Sequence, residues 1–120
     1  MEESLYNTKG QAVAYIAFDD DQTIYMWGGK PVAYIDSDNI YGFNGKHLGW
    51  YEEGAVRDHD GNIVGFNKCA ANVFLVFEPF KAFKQLKPFK SFKEFAPFKP
   101  FYHSSGSKYT LENFLMRGAK

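Results

Sequence analysis

Four stretches of this 120-residue chain align as copies of one unit: Leu5–Tyr15, Ile24–Tyr34, Ile40–Trp50 and Val56–Phe66. Each has glycine at its sixth position (Gly10, Gly29, Gly45, Gly61). Three residues later stands Val13, Val32, Leu48 or Val64, then a small residue (Ala14, Ala33, Gly49, Gly65), then an aromatic (Tyr15, Tyr34, Trp50, Phe66). Strand, tight turn, strand is the unit such a pattern encodes. One hairpin cannot bury its apolar face alone, whereas several side by side can. The repeat therefore predicts a mainly β, single-domain chain in which four hairpins close into a barrel-like ring.

Asn44-Gly45 and Asp60-Gly61 are strong signals for two-residue type I′ turns; Gly28-Gly29 meets the same need for positive φ, and Lys9-Gly10 meets it less well. Such turns set Tyr6 opposite Val13, Tyr25 opposite Val32, Tyr41 opposite Leu48 and Arg57 opposite Val64. Strand alternation then divides the faces. One carries Tyr25, Trp27, Lys30, Val32, Tyr34 and their equivalents. The other carries Leu5, Ile24, Ile40 and Val56 beside the small residues. Glycine inside a strand usually marks the close approach of other chain, so the small residues are expected where the hairpins converge. The aromatic face is then expected to pack outward against a covering segment, and a closed ring leaves no strand edge exposed.

The unit Ile-Tyr-x-(Trp/Phe)-x-Gly-x-x-(Val/Leu)-(Ala/Gly)-aromatic, together with the Pro-Phe-Lys tract that follows it, resembles the bacterial four-fold β-flower proteins from about Leu5 to Phe101. The resemblance implies four hairpin petals around a pseudo-four-fold axis and brings no activity with it. Two departures stand out. Thr8 occupies the place of Trp27, Phe43 and His59, and Arg57 occupies the place of a tyrosine.

From Phe80 an apolar residue recurs at every third position: Phe80, Phe83, Leu86, Phe89, Phe92, Phe95, Phe98 and Phe101. Lysine follows six of them (Lys81, Lys84, Lys87, Lys90, Lys93, Lys99), and Pro79, Pro88 and Pro97 add a nine-residue period. A period of three fits polyproline II or 3₁₀ geometry and neither α-helix nor strand. A straight polyproline II rod over residues 79–101 would run about 68 Å and overhang a domain of this size. The favoured reading is therefore a set of short 3₁₀ or irregular turns starting at each proline. The Phe stripe is then expected to pack on the hairpins, with Lys facing solvent. A second reading has the stripe joining subunits.

Charge divides along the chain. Residues 1–78 hold five basic and twelve acidic residues, net −7, whereas 79–101 hold six lysines against Glu94, net +5. An acidic body and a basic tract attract each other. The body's charge also argues against a nucleic-acid partner. The single cysteine, Cys69, excludes an intrachain disulfide and is expected to be a small buried hydrophobe. No apolar run approaches a membrane helix and no leader-like segment stands at Met1-Glu2-Glu3-Ser4, so a cytoplasmic protein is expected. Thr110 to Gly118 reads as a short capped helix within 108–118, docking on the body or on another subunit.

No motif assigns catalysis, metal or cofactor. Asp58-His59-Asp60-Gly61-Asn62 lacks the ligand spacing of a calcium loop, Asp19-Asp20-Asp21 reads as a solvated loop, and Gly45-Lys46-His47 is no phosphate loop. The function expected is a non-catalytic binding or protein-interaction module. Trp27, Tyr34, Tyr41, Lys46 and Trp50 would bind a small-molecule ligand if the aromatics form a hollow. Two rivals stand beside it. One is a self-assembling protein joined through the Phe-Lys tract or the terminal helix. The other is a small hydrolytic enzyme using His47 or His59 beside Asp58, which a pocket holding two of the three histidines would favour.

Overall fold

The computed structural model describes residues 2–120. Eight antiparallel strands follow in order: β1 (Glu2–Asn7), β2 (Ala12–Ala17), β3 (Thr23–Met26), β4 (Pro31–Asp36), β5 (Asn39–Gly42), β6 (His47–Glu52), β7 (Ala55–Arg57) and β8 (Ile63–Phe66). Each pairs with its neighbours in sequence. Tyr6 opposite Phe66 and Asn7 opposite Gly65 join β1 to β8 and close the barrel. The four sequence repeats are the four hairpins.

The turns differ from the two-residue expectation by one residue. In the second hairpin the Gly29 amide donates to the Met26 carbonyl at 2.8 Å, and the Met26 amide donates to Lys30 O at 2.8 Å. The same pair of bonds recurs at Gly10, Gly45 and Gly61. This is a three-residue loop, a tight turn followed by glycine at positive φ in a bulge. Gly10, Gly29, Gly45 and Gly61 have φ of 81°, 99°, 91° and 82°, while Asn44 and Asp60 stay at negative φ. The bulge sets Tyr25 opposite Pro31 and Tyr41 opposite His47. It thereby turns Val32, Leu48 and Val64 inward, where burial rewards them.

Every strand sends a side chain into one core, from Leu5, Ala14 and Ile24 round to Val56 and Val64. The short helix α1 (Leu111–Met116), capped by Thr110 whose hydroxyl accepts from the Asn113 amide, adds fully buried Leu111, Phe114 and Leu115 to that core. The small residues make room for it. A Cβ on Gly49 would lie 3.0 Å from the Phe114 ring, and one on Gly65 would lie 3.0 Å from Leu111. The Asn44 side chain donates to Arg117 O at 2.8 Å, which fixes the plug at the hairpin-turn end.

Between β8 and α1 the Phe-Lys tract wraps the barrel as a girdle, with no 3₁₀ turn among the described residues. Its amides at Val76, Gln85, Glu94 and His103 donate to the carbonyls of Gly10, Gly29, Gly45 and Gly61 at 2.9–3.0 Å. Nine residues of girdle therefore correspond to one petal. At about 3.1 Å per residue, four such repeats of polyproline II measure roughly 110 Å. A circle on the molecule's 36 × 35 Å breadth has a perimeter of about the same length. The rod is accommodated by bending gently around the rim, without folding into turns.

The facing of the tract is the reverse of the expected one. Phe74, Phe77, Phe80, Phe83, Phe89, Phe92, Phe95, Phe98 and Phe101 point away from the barrel and are 86–102% exposed, and Leu86 accompanies them. The lysines turn in. Carboxylates clustered at the corners between hairpins attract them, and each backbone turn of three carries the phenylalanines to the other side. Cys69 is exposed, not buried as its residue type suggested, because it lies in the turn that leaves β8 for the girdle. No helix among the described residues is long and apolar enough to cross a membrane.

Candidate functional site

The outward strand faces carry an aromatic nest at three of the four junctions between petals. Tyr15 stacks on Tyr25 at 5.6 Å with Trp27 edge-on at 5.8 Å. Tyr34 stacks on Tyr41 at 6.1 Å beside Phe43. Trp50 meets His47 and His59 at 4.9 and 5.7 Å. Such nests follow from the repeat: the tyrosine of one strand and the aromatic of the next petal are neighbours across a pair of strands.

Girdle lysines cap the two tyrosine nests. Lys81 lies 4.5 Å over the Tyr15 ring, Lys90 4.3 Å over Tyr34 and Lys93 5.4 Å over Tyr41. Their ammonium groups end on corner carboxylates. Lys81 and Lys84 share Glu2, Lys87 joins Asp19 and Asp21, Lys90 joins Asp21 at 2.6 Å, Lys93 joins Asp36, and Lys99 joins Asp38 and Glu52. Hydrogen bonds from Lys90 and Lys87 hold the Asp21 carboxyl below its ordinary range, and Asp21 in turn raises Lys87. The charge split in the sequence is thus the adhesive between girdle and barrel. Each ion pair is partly in solvent, so each is weak alone.

The residues singled out in the sequence fall in three situations. Tyr34, Tyr41 and Trp50 are buried; Lys90 and Lys93 of the girdle lie over the two tyrosine rings, and Trp50 packs on His47 and His59. Trp27 is half-buried, its indole donating to Pro79 O at 3.1 Å. Lys46 is exposed on the third turn. A cleft of about 440 Å³ opens beside Tyr34, between Asp20, Asp21 and Asp36 of the barrel and Lys90 and Lys93 of the girdle.

Two of the three histidines do come together. His47 Nδ1 lies 2.9 Å from His59 Nε2, and His47 Nε2 lies 2.9 Å from Asn39 Oδ1. With the asparagine oxygen accepting, His47 carries its proton on Nε2 and accepts from His59 through Nδ1. Burial and then the charge of His59 push His47 down to about 4, and burial with Arg117 lowers His59, so the pair is neutral at pH 7. Asp58 does not orient either ring. Its carboxylate accepts from the Asp60 and Asn62 amides and from the Ser107 hydroxyl, and so serves the turn. The hollow on the His59 side measures about 160 Å³, and His47 is only 2% exposed. Among the described residues no group of three or more His, Cys, Asp or Glu is placed to hold a metal ion.

The model of a family described as "4-fold beta flower protein" matches residues 3–115, spanning the petals, the girdle and nearly all of the plug. This chain belongs to that family. Searches of curated proteins and of solved structures returned no match. In this β-flower protein the feature that sequence reasoning missed is the outward phenylalanine ridge. The signal for it was present in the corner acids Glu2, Asp19, Asp21, Asp36, Asp38 and Glu52, one set per petal junction.

Proposed function

We propose that this β-flower protein is a non-catalytic interaction module whose working surface is the phenylalanine ridge of its girdle. The observation that carries this reading is the ridge itself: nine phenylalanines stand almost fully exposed in one continuous row. At roughly 150–250 Å² each they make an apolar surface well beyond the few hundred Å² that a solitary protein tolerates. The barrel and plug act as a rigid scaffold, and the girdle lysines spend their charge on that scaffold while lifting the rings into view. A free thiol at Cys69 suits a reducing compartment, and the reading places the module in the cytoplasm.

The histidine pair raises an acid–base alternative, which the geometry disfavours. His47 is sealed from solvent, Asp58 is committed to its turn, and a hollow of about 160 Å³ falls below the 300–1,000 Å³ of ordinary ligand sites.

The test is photo-cross-linking in cells. Benzoylphenylalanine placed at Phe89 should give protein adducts on irradiation, and the same group placed at exposed Lys9 should not. Equal yields at the two positions, or none at either, would refute the module reading.

A further inference from the structure

We infer that the ridge is a homotypic contact: copies of this chain associate edge to edge by interleaving their phenylalanine ladders. This rests on the reading of the ridge as the working surface and names its partner. Three features of the girdle support a second copy as the occupant.

The first is charge. Lys81, Lys84, Lys87, Lys90, Lys93 and Lys99 each end on a carboxylate of their own barrel. The girdle's lysines are thereby part-neutralised by their own barrel, so nucleic acid or an anionic lipid surface gains less from the ridge than an apolar protein surface does. An apolar protein ridge is the complementary surface.

The second is spacing. A three-residue period sets successive rings about 9.3 Å apart along the ladder. A ring from a facing ladder entering each gap stands about 4.7 Å from both neighbours, within the 4.5–7 Å that aromatic pairs prefer. A ladder with this spacing is its own complement, so the surface that one copy displays is the one another copy fits.

The third is area and valence. One nine-residue repeat carries three apolar side chains, such as Phe92, Phe95 and Phe98, or on the order of 500 Å². Two copies meeting over one repeat bury about 1,000 Å², the threshold of a specific interface. The girdle bends around a rim, so two convex rims touch over one repeat at a time. Each copy then has further repeats free for other neighbours. Association should accordingly continue past the dimer, because each contact uses one repeat and leaves the others of both copies open, so the assembly does not close.

The test is sedimentation velocity of the purified full chain from low to high micromolar concentration. The comparison is a Phe83→Gln, Phe92→Gln, Phe95→Gln variant, which alters exposed side chains alone. Wild type should sediment faster as concentration rises and pass the dimer, while the variant stays monomeric with the same circular dichroism and thermal midpoint. A Phe80→Gln, Phe98→Gln variant should show the same loss from a different part of the ladder. A wild type that remains monomeric throughout, or variants that associate as strongly as wild type, overturns the inference. Flotation of monomeric wild type with phosphatidylcholine vesicles also overturns it and names lipid instead. Monomeric wild type that still cross-links from Phe89 to a different protein overturns the homotypic contact while leaving the module reading intact.

Discussion

Gly28 and Gly29 are adjacent in one turn, yet replacing each by alanine should have opposite outcomes. Gly29 sits at φ +99°, and a Cβ built on it would lie 2.0 Å from the carbonyl oxygen of Phe83 in the girdle. Gly28 has no positive φ, and its Cβ would meet nothing within 4 Å. Gly29→Ala must first carry a left-handed backbone, about 1–2 kcal/mol. It must also push the girdle off the turn, which breaks the bonds from Gln85 N to Gly29 O (2.9 Å) and from Ala82 N to Trp27 O (3.1 Å). At roughly 1 kcal/mol each, those bonds bring the total to about 3–4 kcal/mol. For a chain of this length that corresponds to a fall on the order of 10 °C in midpoint. Thermal unfolding by circular dichroism reads the total, and hydrogen exchange at Ala82 and Gln85 reads the detachment. Gly28→Ala should leave both unchanged or gain a few tenths of a kcal/mol. Equal stability of the two variants, with Gln85 exchanging as freely in wild type as in both, would show that the girdle does not dock on the petal turns.

Three further outcomes follow from the same geometry. Phe114→Ala removes a fully buried ring from the plug and should cost about 3–5 kcal/mol in denaturant titration, since the glycines around it cannot fill the space. Acidification tests the histidine pair. The folded state holds His47 at about 4, below the unfolded value near 6.5, so the unfolded chain takes up the proton first. The stabilising contribution is complete above about pH 6.5 and is lost progressively down to pH 4, by up to roughly 3 kcal/mol; His47→Gln should flatten that part of the profile. Raising salt from low to about 1 M shortens the screening length to about 3 Å. Exchange at Gln85 and Glu94 should then quicken while that at Ile24 and Leu48 in the barrel holds.

The petals were readable because two independent signals agree there: glycine at a fixed place in each copy and alternation on either side of it. The one-residue slip in the turns has a local cause. Asn44-Gly45 suits a two-residue turn with both residues at positive φ as well as a three-residue loop with only the glycine there. What decides is Val32 and its equivalents, which reach the core only in the second. The girdle misled for a different reason. Hydropathy alone puts phenylalanine inside, but the tract wraps the petals as a single layer whose inner row must meet corner acids and tyrosine faces, and lysine suits both. The nine-residue proline period and the four petals were both visible; their equivalence was not, because it depends on the girth of the closed barrel. The His47–His59 contact was beyond sequence reading, since the two rings approach across β6 and β7 from separate hairpins.

The plug carries a consequence for how the chain is made. Gly49 and Gly65 leave a void inside the barrel that Leu111, Phe114 and Leu115 fill, and those residues are synthesised some fifty positions after the strands they complete. While the nascent chain grows, the petals can pair, but their shared interior stays hollow. Cooperative folding should therefore wait until residue 115 has cleared the ribosome. Through that interval the Phe-Lys tract, already translated, would be the stretch most in need of a chaperone's cover.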